Sequence, residues 1–340
     1  MISTPGVNRA EAWSAPLTLD QFRTKLNAWG KQGIPFLFII DFELKKPIAV
    51  PLESVDATQI LFNINGFTNA ADVAAPAGEP VTLTPQPITL EQYRPRFDHV
   101  YDRLCYGDSF LTNLTIKTPI TPSQSLQSLY YKSRARYKLW LNDQNLVFSP
   151  ETFVRINDGK IYAHPMKGTI DATIPGAESK ILADVKELAE HVTIVDLIRN
   201  DLSQVATGVN VTRFRYVERL ETTHKALLQV SSEIQGNLPT GYTGMLGDIL
   251  LKLLPAGSVS GAPKAKTLEI IAHAEKEERG YYTGVFGYFD GQALDSGVMI
   301  RYIEKTENGY AYRSGGGITT QSVVTAEYNE AIDKVYVPVD

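Results

Sequence analysis

The chain has 340 residues, with 33 basic and 38 acidic side chains for a formal net charge of −5; 43% of residues are hydrophobic, 10% aromatic and 21% charged. That is the balance of a globular protein in water, and without a basic block it suits no phosphate backbone, so no nucleic-acid partner is expected. A single cysteine, Cys105, and five histidines exclude a disulfide framework, a multi-thiolate zinc site and a histidine-rich centre, which leaves oxygen ligands for any metal.

The opening stretch MISTPGVNRAEAWSAPLTLD lacks a basic segment followed by an apolar core, so no secretory signal is expected. The longest apolar runs, such as Phe36 to Ile40, fall far short of the roughly 20 residues that span a bilayer. With the lone cysteine this predicts a cytoplasmic protein with no membrane partner. The first ninety residues read as β-rich and partly irregular. IPFLFIIDFELKKPIAV has the content of a buried strand that turns at Lys45–Pro47 and continues. Residues 70–93, rich in proline, alanine and threonine, read as a loop. Thr89-Leu90-Glu91-Gln92 opens a helix that carries Phe97, Val100, Tyr101 and Leu104 at helical spacing. Strands are predicted around 111–118, 139–149 and 153–156. Between 179 and 206 the three- and four-residue spacing of Ile181, Val185, Leu188, Val192, Val195 and Leu202 predicts a long helix. A last helix over 325–335 puts Tyr328, Ala331, Ile332 and Val335 on one face. Strands and helices mix without strict βαβ alternation, which favours an α+β fold.

Some familiar motifs are absent. Gly257-Ser258-Val259-Ser260-Gly261-Ala262-Pro263-Lys264 superficially resembles a phosphate loop, but alanine and proline stand where that loop needs glycine and lysine. No HExxH or GxSxG occurs, and Leu104-Cys105-Tyr106-Gly107 lacks the glycine of a nucleophile elbow, so Cys105 reads as a buried structural residue. Pro263 suits the first turn of a helix carrying Leu268, Ile271 and Ala272 and ending before Gly280. This loop and Ser314-Gly315-Gly316-Gly317 are places where backbone could approach an anion; the competing reading of each is a tight turn.

Glu187 and Glu190 are three apart on the long helix and so are neighbours, and Glu327 and Glu330 repeat the spacing with Lys334 one turn further. Four carboxylates meeting across two helices would make an oxygen-rich Mg²⁺ site; apart, they are solvated helix faces. Lys167, in His164-Pro165-Met166-Lys167-Gly168-Thr169, reads either as a surface lysine in a turn or as a desolvated amine. Desolvation would lower its pKa toward nucleophilic use.

These residues fall within ordered blocks: GDSFLTNLT (107–115), SPETF (149–153), PMKGT (165–169), EHVTIVDLIRNDL (190–202), GSVSGAPKAK (257–266), YYTGVFGYF (281–289), IRY (300–302), GGGI (315–318) and AEYNEAIDK (326–334). With them the chain resembles the chorismate-utilising enzymes, and among these the aminodeoxychorismate synthase component I group. The resemblance implies one chorismate-binding domain over 1–340, with 1–90 a short variable N-terminal part and 91–338 the catalytic core. It implies an anthranilate synthase component I-like α/β sandwich with large, mostly antiparallel sheets and the active site between the layers.

By the same resemblance Glu190 and Glu330 would hold Mg²⁺, supported by Glu187 and Glu327, and the ion would make the substrate ring a better electron sink. Arg301 and Tyr282 would hold the enolpyruvyl carboxylate; Gly316, Gly317, Ser258 and Lys334 would complete the anion sites. Lys167 would attack ring C2 as the 4-hydroxyl leaves, with Glu151 as general acid. Ammonia would then add at C4, giving 4-amino-4-deoxychorismate for 4-aminobenzoate and folate synthesis. A raised Glu151 pKa and a lowered Lys167 pKa would suit these roles. No glutaminase motif surrounds Cys105, so the ammonia is expected from a separate glutamine amidotransferase subunit.

Lys167 stands where anthranilate synthases usually have alanine, which argues against anthranilate synthase component I, the nearest alternative. Leu111 occupies a position where relatives that add water carry a lysine base, so isochorismate synthesis is not expected. Leu111 also replaces a common glutamine, and Gln229 a common histidine, with His224 a distant substitute. These departures are the only encouragement for a catalytically silent binding protein on the same scaffold.

Overall fold

The computed structural model describes residues 16–71, 80–221 and 226–339. Five consecutive apolar residues, Phe36 to Ile40, form a strand buried along its whole length. The two-residue period sends Phe36, Phe38 and Ile40 to one face and Leu37 and Ile39 to the other. The first face packs with Phe22 and Leu26 of the helix Leu19–Gln32 and with Leu246, Ile249 and Leu250 of the helix Leu246–Leu253. The second packs with Phe62, Ile64, Tyr137, Leu139 and Val147 of a facing sheet. At about 1.5–3 kcal/mol per buried large side chain, this one strand ties a helical layer and two sheets together. The chain turns as predicted and returns as Ile48–Pro51, antiparallel to it.

Among the described residues two nine-stranded sheets form the sandwich. In the first, the order is Met166–Asp171, Ala226–Asn237, Lys160–Ala163, Thr152–Asn157, Leu294–Val298, Val285–Phe289, Phe36–Ile40 and Ile48–Pro51, with Thr207–Glu221 also on Ala226–Asn237. In the second it is Gly261–Ala262, Leu111–Pro122, Gly309–Ile318, Tyr302–Thr306, Asn145–Ser149, Tyr137–Leu141, Ile60–Ile64 and Phe67–Thr68, with Leu83–Pro85 also on Leu111–Pro122. The pairings are antiparallel, and some join distant parts of the chain: Leu114 lies opposite Gly316, and Phe38 opposite Gly287. Strands from before residue 90 therefore belong to both sheets. None of the described helices is long and apolar enough to cross a membrane.

Several local expectations need correction. The helix Leu19–Gln32, opened by a capping box between Thr18 and Gln21, lies in a region read as strand and irregular chain. The 139–149 segment is a hairpin, Tyr137–Leu141 and Asn145–Ser149, because Asn142 and Asp143 both take left-handed φ values of 43° and 54°. The helix predicted over 179–206 is two, Ala177–Ala183 and Val185–Ser203. Between them Asp184 is extended, and its carboxylate accepts the backbone N–H of Glu187 at 2.9 Å, which caps the second helix. Pro263 sits just before the first turn of the helix Lys264–Glu275, not within it. Cys105 is exposed. The buried face of its helix Leu90–Tyr106 is set by Tyr93, Phe97, Val100 and Leu104, and the next residue turns about 100° away from it. Residues 72–79 of the predicted loop lie outside the described residues; beyond them Leu83–Pro85 is a short strand.

Candidate active site

A cavity of about 490 Å³ is lined from both sheets and from four helices. Every site residue singled out from the sequence lines it: Lys167, Glu151, Tyr282, Arg301, Ser258, Gly316, Gly317, Lys334, Glu187, Glu190, Glu327 and Glu330. Helical spacing delivers the carboxylates, with Glu187 and Glu190 on Val185–Ser203 and Glu327 and Glu330 on Val324–Asp333. The second helix lies beside the Gly315–Gly317 backbone, and the first beside Gly168, where a Cβ would lie 3.0 Å from Glu187 Oε2. A Cβ on Gly316 would lie 3.3 Å from Glu330 Oε1, 3.6 Å from Glu327 Oε2 and 3.7 Å from Lys334 Nζ. One on Gly317 would lie 2.9 Å from Leu111 and 3.8 Å from Lys167 Nζ. A side chain on Gly316 would enter the space beside Glu327, Glu330 and Lys334, and one on Gly317 the space beside Leu111 and Lys167.

The acids are charge-compensated. Lys167 Nζ donates to Glu190 Oε2 at 3.0 Å, and Lys334 Nζ donates to Glu330 Oε1 at 2.6 Å and to the Gly315 carbonyl at 2.8 Å. This reverses one expectation. Burial works to lower the Lys167 pKa, but Glu190, Glu330 and Glu187 together outweigh it, and the amine is held above its ordinary value. In this arrangement the three carboxylates favour the protonated form of Lys167. Among the described residues no three acidic, histidine or cysteine side chains converge as a metal ligand set. The donor chemistry nevertheless suits Mg²⁺: hard carboxylate oxygens from both helices line the one cavity.

Glu151, at the start of Thr152–Asn157, accepts a hydrogen bond from the Ser258 hydroxyl. Burial pushes its carboxyl up, against the opposing pull of that bond and of Lys167, Arg301 and Lys334. Of the two predicted shifts, this direction agrees. Tyr282 is 4% exposed, and burial pushes its phenol up to about 12. Arg301 takes a left-handed φ of 54°, and its Nε is buried with no partner among the described residues. No carboxylate among the described residues pairs with it. A buried guanidinium without a counter-ion is poised for an anionic ligand.

Sequence reasoning missed several residues of this cavity. Asn113 follows Leu111 by two positions on Leu111–Pro122, so the strand period puts both on the cavity side, and its Oδ1 has no partner among the described residues. Ser314, 3% exposed, leaves its Oγ in the same condition. Behind the wall, Arg279 and Glu275 form a buried pair, each side chain 1% exposed. Arg279 donates to both Glu275 oxygens at 2.6 and 2.9 Å and to the carbonyls of Asn113 and Val259 at 2.7 and 2.8 Å. The Glu275 carboxylate also accepts the Thr115 N–H and hydroxyl at 2.9 Å each. The pair thus pins the Leu111–Pro122 strand to the turn that carries Ser258. Leu111 and Gln229 both line the cavity, and His224 lies outside the described residues.

Residues 46–340 match the family of chorismate binding enzymes, and the chain belongs to that family. A Haemophilus influenzae protein named PabA-like is 47% identical over 326 residues, covering 96% of this chain and 99% of its own. Anthranilate synthase component 1 of Mycobacterium tuberculosis is 33% identical over 72% of this chain and 51% of its own length. Aminodeoxychorismate synthase component 1 of Bacillus subtilis is 31% identical over 74% and 55%. The chain thus spans about half the length of these last two and nearly all of the first. Its fold is that of MenF, the menaquinone-specific isochorismate synthase of Escherichia coli, with a TM-score of 0.72 at 17% identity over 94% of this chain and 82% of the other.

Proposed function

We propose that this chorismate-family chain is the aminating component of an aminodeoxychorismate synthase, active in the cytoplasm on the route to 4-aminobenzoate and folate. The observation that carries the reading is the Lys167 amino group inside the cavity, beside Gly317 and the acidic helices. In this reading Lys167, once deprotonated, bonds to ring C2 of chorismate. Both ring double bonds shift, from C1=C2 and C5=C6 to C1=C6 and C4=C5, the C4–O bond breaks, and Glu151 gives its proton to the departing hydroxyl as water. Ammonia then bonds to C4 while the C2–N bond breaks, which frees Lys167. The sum is chorismate plus ammonia to 4-amino-4-deoxychorismate plus water, with the enolpyruvyl group intact.

Arg301 and Tyr282 would hold the enolpyruvyl carboxylate, and Ser258, Lys334 and the Gly316–Gly317 backbone the remaining anionic groups. Glu190 and Glu330 would hold Mg²⁺, with Glu187 and Glu327 in support. When bound, Mg²⁺ supplies the positive charge those carboxylates now draw from the lysines, and Lewis acidity toward the ring carboxylate. The raised Lys167 pKa makes that compensation part of the reading, because the amine must lose its proton to act. Ammonia would come from a separate glutamine amidotransferase subunit; the PabA-like and component 1 names of the relatives support a two-component enzyme.

A second reading, anthranilate synthase component I, is favoured by the 33% identical Mycobacterium tuberculosis protein. One assay separates them: chorismate, Mg²⁺ and ammonium, with and without added aminodeoxychorismate lyase. Lyase-dependent 4-aminobenzoate is expected. Anthranilate formed without lyase would replace the first reading with the second, and no turnover with any ammonia source would remove both.

A further inference from the structure

Arg301 has a long side chain, a strained backbone and no acidic partner among the described residues, so something else must fix where its guanidinium points. The segment after the helix Val324–Asp333 does this. The Tyr336 ring lies 5.3 Å from the Arg301 guanidinium carbon, within cation–π range. Burial works to lower the Arg301 pKa; Tyr336, whose phenol oxygen also accepts a hydrogen bond from the guanidinium, outweighs it together with Tyr312 and Tyr282.

Tyr336 is itself anchored. Its carbonyl accepts the Tyr312 hydroxyl at 3.0 Å, its N–H donates to the Lys334 carbonyl at 3.1 Å, and the Pro338 carbonyl accepts the Arg134 N–H at 2.7 Å. Val335 and Val337 pack on the core around Trp140, Phe148 and Tyr312. The ring is thus held by one short segment that starts at Lys334, itself a cavity residue, and ends on the far side of the second sheet.

A tyrosine and a carboxylate would orient an arginine with opposite consequences. A carboxylate takes the N–H edge and cancels the charge. A neutral tyrosine takes one N–H and a ring contact and leaves the charge and the remaining N–H groups for a ligand. We infer that Tyr336 is a positioning residue that aims the remaining N–H groups of Arg301 at a carboxylate of the substrate. This rests on the reading of Arg301 as a substrate anchor, so the test must separate the two.

The experiment compares Tyr336→Ala, Tyr336→Leu and Tyr336→Phe in the wild-type and Arg301→Lys backgrounds. Tyr336→Ala should raise KM for chorismate about tenfold with kcat changed less, the size of one cation–π contact with a desolvated arginine. Tyr336→Phe, which keeps the ring but loses the phenol hydrogen bond to Arg301, should fall between wild type and Tyr336→Ala. With Arg301→Lys already present, Tyr336→Ala should add little, a coupling that a general structural defect would not produce. Should the alanine variant fail to fold, the leucine variant carries the same comparison. Calorimetric binding of malonate, a plain dicarboxylate, should rank the variants in the same order. Unchanged KM and malonate affinity, or equal losses in both backgrounds, would overturn the inference. Wild-type protein that binds malonate but leaves chorismate unchanged would sink the chorismate reading alone, with the malonate ranking still deciding Tyr336. Wild-type protein that binds neither would overturn both.

Discussion

Replacing Arg279 by methionine should unfold this protein far more readily than any change in the cavity itself. The guanidinium makes four strong contacts, two to Glu275 and one each to the Asn113 and Val259 carbonyls, at 1% exposure. Removing one member of a buried ion pair costs about 3–5 kcal/mol, because the other charge stays behind unpaired. The two orphaned carbonyls add about 1 kcal/mol or more each, with overlap, so Arg279→Met should cost about 4–6 kcal/mol. That is a large share of the roughly 5–15 kcal/mol that holds a native domain together. Urea unfolding followed by circular dichroism reads it as a drop in midpoint at unchanged slope. Adding Glu275→Gln removes the stranded charge while keeping an acceptor for Thr115, and should recover about 2 kcal/mol. A single variant within about 1 kcal/mol of wild type, or a double variant less stable than the single, would refute the unpaired-charge argument.

Other outcomes follow from the same geometry. Lys167→Ala should fold and lose amination at C4, read as absence of lyase-dependent 4-aminobenzoate; an unchanged rate and product would remove lysine from the mechanism. Gly315→Ala should destabilise by more than about 2 kcal/mol, because its Cβ would sit 2.3 Å from the Leu114 carbonyl oxygen, whereas Gly316→Ala meets only flexible side-chain ends and should fold near-normally; equal melting temperatures would contradict this. Burial holds the pKa of His99 and of His164 below the ordinary value, so the unfolded chain binds more protons and their contribution, full above about pH 6.5, should fade as the pH falls below it. A His99→Asn, His164→Gln variant should therefore lose less stability than wild type between pH 7.5 and 5.5, and identical slopes would exclude the two histidines. Cys105 should react at once with a thiol reagent in the native state; protection until unfolding would contradict its exposure.

Much of the site was legible because its chemistry lies in short local blocks. Glu187 with Glu190, and Glu327 with Glu330, need only helical spacing to share a face, and Phe36 to Ile40 needs only its unbroken apolar run to be buried on both sides. What escaped depends on neighbours distant in sequence. The Lys167 pKa is set by Glu190, 23 positions on, and by Glu330 on another helix, so burial alone pointed the wrong way. Arg279 and Glu275 look like one more surface i, i+4 pair until the sheet closes over them. Asp184 breaks a helix whose apolar spacing runs through it, since capping the second segment outweighs one continuous turn. The Cys105 and Asn113 outcomes, by contrast, were recoverable from periodicity alone.

The pairing of Leu114 with Gly316 has a consequence for how the protein comes into being. Closing a loop of about two hundred residues costs on the order of 5 kcal/mol in chain entropy before any contact across it repays the loss. Non-local topologies of this kind fold slowly. A ribosome-bound chain emerging at about 5–20 residues per second carries Lys167 and Glu190 into solution many seconds before Gly316, Glu330 and Tyr336 exist. During that interval the Leu111–Pro122 strand has an open edge where its last partner belongs, and the nascent protein is exposed to strand exchange and capture by chaperones. The cavity is thus a late event in biogenesis, complete only when the strand that carries Gly316 and the helix that carries Glu330 have been made.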